Sequence, residues 1–266
     1  MRRLLTFSCQ GAALGASLDE AEGATGILFV TGGSQTRIGS HRLFERLGRA
    51  FAEAGHPAFR YDRRGVGDSE GEDPGWRGGA ADMAAAAEAF RSECPKVERI
   101  VGVGLCDGAS ALALYGRAAG LDGLIFLNPW LVESEAGEPP AAAIRQHYKM
   151  QLTSRAGWKK LLSGSVSYVK FLRGLGKIAA PPKSELAGEI AAALDRAKLP
   201  VELILASRDA TAVAAQHELG RPAFEGLVGR TVQSILTDSH TFARPGDLEA
   251  LLAACLAALG RLSGRG

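Results

Sequence analysis

The feature that most constrains this chain is a turn. An apolar run, Arg99-Ile100-Val101-Gly102-Val103, enters Gly104-Leu105-Cys106-Asp107-Gly108 and leaves through an alanine- and leucine-rich stretch, 109–115. Strand, tight glycine turn and helix in that order place one side chain at the tip of a sharply bent backbone, as in a nucleophile elbow. Here cysteine stands where serine is usual. The flanking glycines let the helix and a neighbouring strand come close to the bend. At a helix N-terminus the positive end of the dipole favours a thiolate. Taken alone, the pentapeptide reads equally well as a core cysteine closing a buried strand, so the rest of the chain has to decide.

The neighbouring segments repeat the same rhythm. The continuous apolar run at 26–31 reads as a buried strand, and 57–61, 124–127, 201–206 and 232–236 read as further strands. Helical spacing of Phe44, Leu47, Phe51 and Ala54 ends at Gly55. Helices are also expected over 79–93 and 247–260, and residues 2–9 and 12–18 read as an opening hairpin. Strands alternating with helices imply an α/β fold with a mostly parallel, doubly wound sheet. In 266 residues this leaves room for a core formed by 1–130 and 199–266 and an inserted helical lid over 131–198. From Ala141 through Ser184 there is no Asp or Glu but nine Lys or Arg, although the whole chain carries only +2. That segment is either a solvated helix face or a basic lid that meets an anionic substrate, a partner or an anionic membrane surface.

Composition excludes several classes. A net charge of +2 argues against nucleic acid as a partner. Cys9, Cys94, Cys106 and Cys255 lack metal-binding or disulfide-framework spacing, so no metal is expected and a reducing, cytoplasmic setting is the simplest. Met1-Arg2-Arg3 followed by Leu4-Leu5 begins like a signal peptide, but the apolar run breaks at Ser8. No stretch approaches the ~20 apolar residues of a membrane span. Gly102-Val103-Gly104 starts like a dinucleotide fingerprint, yet Asp107 replaces its third glycine, and no phosphate-binding loop motif occurs. No cofactor is therefore expected.

Three groups that could share chemistry lie at strand ends: Cys106, Asp209 and His240. Their gaps leave room for the insertion and then for a helix and one more strand. All three would gather at the C-terminal edge of the sheet, where open α/β folds place their sites. Cys106 would attack a carbonyl carbon, His240 would shuttle the proton, and Asp209 would orient the imidazole. Backbone N–H groups of Asp107 and of Gly33 or Ser34 are the expected oxyanion donors. His41, Arg37 and Trp130 are candidates for substrate contact. Asp209 also reads as a helix N-cap. Asp238 is the alternative acid, and His41 is the runner-up histidine. The Asp107 carboxylate would oppose a thiolate unless turned away.

Together these residues resemble the α/β-hydrolase superfamily. Asp62-Arg63-Arg64-Gly65-Val66-Gly67-Asp68-Ser69 looks like its D-x-R-G-x-G-x-S loop, and elbow, acid and histidine follow in the family's order. Thr31 departs from the His that many members carry before the oxyanion glycine. Residues 32–42, the elbow and Leu127-Asn128-Pro129-Trp130 are similar to the hydrolase 1 family associated with exosortase A systems. The cysteine invites a more distant comparison with dienelactone hydrolases. The resemblance implies a hydrolase of ester or thioester bonds with an acyl-cysteine intermediate, acting on a small-molecule or a glycan- or lipid-linked acyl substrate in exopolysaccharide or protein-sorting pathways. An acyltransferase of the same fold, and a non-catalytic scaffold in polysaccharide assembly, are the alternatives.

Overall fold

A computed structural model describes residues 1–133, 184–227 and 231–264. Strands β1 (Arg2–Cys9) and β2 (Ala12–Asp19) form the expected opening hairpin. They lead into β3 (Thr25–Val30), β4 (Ala58–Tyr61), β5 (Arg99–Leu105), β6 (Gly123–Leu127), β7 (Val201–Ala206) and β8 (Thr231–Ile235). These build one sheet in the order β1-β2-β4-β3-β5-β6-β7-β8. β1, β2 and β4 pair antiparallel, and every pairing from β4 to β8 is parallel. The site therefore has a single edge at which to assemble, because all the parallel strands end on the same side.

Period-two alternation sorts the strand residues between two layers. Ile27, Phe29, Val101, Val103, Ile125 and Leu127 join one cluster, with Phe44, Leu47 and Phe51 of α1 (Leu43–Glu53) and Leu251, Cys255 and Leu259 of α7 (Asp247–Ser263). Leu28, Val30, Ile100, Leu124 and Phe126 face the other way, onto α3 (Ala80–Glu93), α4 (Asp107–Tyr115) and α5 (Glu185–Ala197). A short α2 (Gly75–Gly78) precedes α3, and α6 (Ala210–Leu219) follows β7.

Most of the expected lid, 134–183, including the basic stretch, lies outside the described residues. Its last part, residues 185–197, forms α5. α5 is capped by Ser184, whose hydroxyl accepts from the Ala187 N–H at 3.3 Å, and it buries Leu186, Ile190 and Leu194 in the core beside α4. That apolar face, spaced at four residues, needs a cover, and the sheet layer supplies it. α5 thus belongs to the layer and not to an insertion above it.

Candidate active site

β5 runs straight into α4 through one residue. Cys106 sits at φ 59°, ψ −126°, a region costly for any residue with a side chain, by about 1–3 kcal/mol. Its surroundings hold it there. The Cys106 N–H donates to the Leu127 carbonyl at 3.0 Å, and the Cys106 carbonyl accepts from Ala109 and Trp130, both at 3.1 Å. The bend also brings helix onto strand so tightly that a Cβ on Gly104 would stand 2.8 Å from the Ala109 nitrogen, and one on Gly108 would stand 2.5 Å from the Val30 carbonyl oxygen. Both elbow glycines are thus required by close approach, as the motif predicts.

The other two members arrive from the ends of β7 and β8. The same carboxylate oxygen of Asp209, Oδ2, accepts from the Ala212 N–H at 3.0 Å and bonds His240 Nδ1 at 2.9 Å. Asp209 is thus both the N-cap of α6 and the partner of the histidine, and the two roles anticipated for it coexist. Asp238, the alternative acid, is exposed and held by Arg244 Nε at 2.9 Å and Nη2 at 3.1 Å.

With Nδ1 engaged by Asp209, Nε2 of His240 is the ring nitrogen left for chemistry, and Cys106 is near enough to raise the proton affinity of the imidazole. Burial works against the imidazolium. Hydrogen bonds to Asp209 and Cys106, and their negative charge, outweigh it and push the His240 pKa up to about 10. The remaining thiols differ in kind. Burial raises Cys9 to about 11 and Cys255 to about 12, the latter wholly enclosed. A buried thiol of that sort is inert.

The expected oxyanion donors divide. Among the described residues no acceptor meets the N–H of Asp107 or of Ser34. The Gly33 N–H is taken: it donates to Asp107 Oδ1 at 2.7 Å. The Asp107 side chain is therefore not turned away from the site, as relief of charge repulsion would require, because the glycine N–H offers it a bond. Arg63 Nη2 holds the Gly33 carbonyl at 2.9 Å from the other side. A trans peptide sets C=O and N–H in opposite directions, so this bond fixes where the Ser34 N–H points.

The substrate-contact candidates fare unequally. The Arg37 guanidinium is engaged by Asp62, by Asp68 at 2.7 Å and by Ser17 at 3.0 Å, so a substrate would have to displace two carboxylates. Trp130 supports the elbow through its backbone: its N–H bonds Cys106 and its carbonyl accepts from the Ser110 hydroxyl. His41 lies in a cleft of about 280 Å³ whose walls include Thr241, Phe242 and Arg244, the residues following His240.

Sequence reading missed Asn128. It is fully buried at the end of β6, its Oδ1 accepts from the Ala206 N–H at 2.7 Å and its Nδ2 donates to the His240 carbonyl at 2.8 Å. One amide thus ties the nucleophile's neighbouring strand to the acid's strand and the histidine's loop. Its place at a strand end was the available signal. Among the described residues, no group of three His, Cys, Asp or Glu could hold a metal ion, and no helix is long and apolar enough to cross a membrane.

Comparison with known proteins agrees with this fold. None of the curated proteins matches the chain. Among solved structures, an esterase of Pyrococcus furiosus superposes with a TM-score of 0.65 at 13% identity, over 98% of this chain and 91% of its own. Est1E of Butyrivibrio proteoclasticus, solved with ferulic acid bound, gives 0.63 at 15%, over 97% and 99%. A dienelactone hydrolase of Anabaena variabilis gives 0.61 at 16%, over 97% and 95%. At such identities the likeness is one of fold. The model of the alpha/beta hydrolase family matches residues 27–257, and the chain belongs to that family.

Proposed function

We propose that this protein hydrolyses ester or thioester bonds through an acyl-cysteine intermediate on Cys106. The observation that supports this best is the set gathered at the sheet edge: a strained elbow thiol, an imidazole whose proton affinity that thiol helps to raise, and a buried carboxylate 2.9 Å from the Nδ1 of that ring. In the first half-reaction Cys106 Sγ bonds the acyl carbon as the thiolate, paired with the His240 imidazolium that a pKa of about 10 keeps protonated at neutral pH. The oxyanion is received by the Asp107 and Ser34 N–H groups. Its collapse breaks the bond to the leaving oxygen or sulfur, which departs with the proton from His240. Water then gives its proton to His240, attacks the thioester carbon and expels Cys106. Asp209 stabilises the imidazolium in each half. Since thiolate leaves a tetrahedral intermediate more readily than an amine does, unactivated amides are poor substrates.

The similarity to exosortase-associated hydrolases makes acyl groups carried on exopolysaccharide sugars or lipid-linked intermediates the first natural substrates to try. The basic run between 141 and 184 suits an anionic carrier of that kind. Steady-state hydrolysis of p-nitrophenyl esters and acyl thioesters by wild type, Cys106→Ala and His240→Ala tests the reading. Turnover restricted to the wild type supports it, and equal rates in all three overturn it. Product analysis with an added alcohol distinguishes water from a hydroxyl as acyl acceptor.

A further inference from the structure

Asp107 differs from the other carboxylates near this edge. Asp62 is paired with Arg37, Asp73 with Arg63, Asp82 with Arg64 and Asp209 with His240. Asp107 has no cation within ion-pair distance among the described residues, and its side chain bonds only the Gly33 N–H. It is half-buried. A Cβ on Gly32 would lie 2.5 Å from Asp107 Oδ1 and 3.3 Å from Cys106 Cβ, so the carboxylate and the carbon bearing the sulfur border the same small space.

We propose that Asp107 sets the charge of the acyl group this site accepts: its carboxylate beside Cys106, which has no cationic partner among the described residues, admits cationic and neutral acyl groups and turns away anionic ones. This rests on the acyl-cysteine reading and deepens it. Asp107 directly follows the nucleophile, and its own N–H is an oxyanion donor, so its side chain stays beside the reacting carbonyl whatever the substrate. Charges that face each other in such a partly enclosed space interact more strongly than in water. The effect is coupled to chemistry. An ammonium group on the acyl chain can draw the carboxylate off the Gly33 N–H and release that donor to the oxyanion, whereas an anionic group cannot. A carboxylate in the first turn also favours α4 through the helix dipole. That role alone would alter stability and leave the charge preference of Cys106 unchanged.

Charged methanethiosulfonates test the proposal without requiring turnover. Cys106 Sγ forms a disulfide with the reagent's thioalkyl group and methanesulfinate leaves. The probes are the cationic trimethylammonioethyl reagent and the anionic sulfonatoethyl reagent, each normalised to its rate with a small free thiol. Labelling at Cys106 is followed by intact mass and peptide mapping in wild type, Asp107→Asn and Asp107→Ala, with a thermal melt of each to confirm folding. In wild type the cationic reagent should lead by roughly tenfold, with the lead shrinking as salt rises. In both variants the ratio should fall at least about threefold. An unchanged ratio in the two variants overturns the proposal, as does a Cys106 that neither reagent labels. A charge-dependent ratio with no acyl adduct from any ester would instead remove the acyl-cysteine reading and leave the electrostatic role of Asp107 standing.

Discussion

Two buried carboxylates at the C-terminal edge of this sheet show how the same group serves different ends. Asp62 is fully enclosed and bonds the Arg37 guanidinium, a planar cation that presents its donors as a rigid fork. It also accepts from the Asp68 N–H at 3.2 Å, which folds the glycine loop back on itself. Asp209 is nearly as enclosed, at 7% exposure, but it bonds His240, whose proton can leave. The first pair shapes a loop and the second can do acid–base chemistry. The partner's chemistry separates them more than the carboxylate's burial does.

That contrast can be broken from either side. The largest effect is expected at the thiol that the second pair serves. Cys106→Ala should lower kcat on an activated ester by as much as about 10⁶-fold, to the solution background, while the melting temperature moves little. Asp209→Asn should cost on the order of 10³–10⁴ in kcat, because the imidazole loses the charge that fixes its tautomer. Retention of wild-type kcat would mean that Asp209 acts only as the cap of α6.

Removing the arginine from the other pair should act on stability instead. Arg37→Met leaves Asp62 buried without its cation and should destabilise the fold by about 3–5 kcal/mol in denaturant titration. The kcat of the molecules that remain folded should fall far less than in Asp209→Asn. Asn128→Ala lies between the classes. It strips partners from the buried Ala206 N–H and the His240 carbonyl, and should cost about 1–3 kcal/mol of stability. It should also lower kcat more than it raises KM, since the histidine's loop loses its anchor.

A further effect separates the pairs by pH. His240 binds its proton more tightly folded, with a pKa of about 10, than unfolded, near 6.5. Its contribution to stability is complete below pH 6.5, declines above it as the unfolded chain loses its proton, and is gone once pH passes about 10. The wild-type melting temperature should therefore fall across this window relative to that of His240→Ala. A constant difference between the two would contradict the pairing.

How much of this was legible in the chain depends on range. The parallel strands announce themselves because burial on both faces demands unbroken apolar runs such as Ile27-Leu28-Phe29-Val30. Cys106, Asp209 and His240 can be placed because each directly follows or closely follows such a run. Asn128 was not readable as a tie, since its bonds reach 78 and 112 residues along the chain. The direction of the Asp107 side chain is fixed by a glycine 74 residues away, beyond the range of any local pattern. Leu186, Ile190 and Leu194 mark an apolar face at helical spacing, but spacing cannot say whether a lid or a sheet covers it.

The most direct test is to mix the protein with an activated ester, quench within the first turnover, and weigh the intact chain alongside Cys106→Ala and Asp209→Asn. The account predicts an added acyl mass mapping to the Cys106 peptide in the wild type, absent from Cys106→Ala and slow to form in Asp209→Asn. An acyl mass of equal yield in Cys106→Ala, or turnover of the ester with the acyl group on another residue, would contradict it.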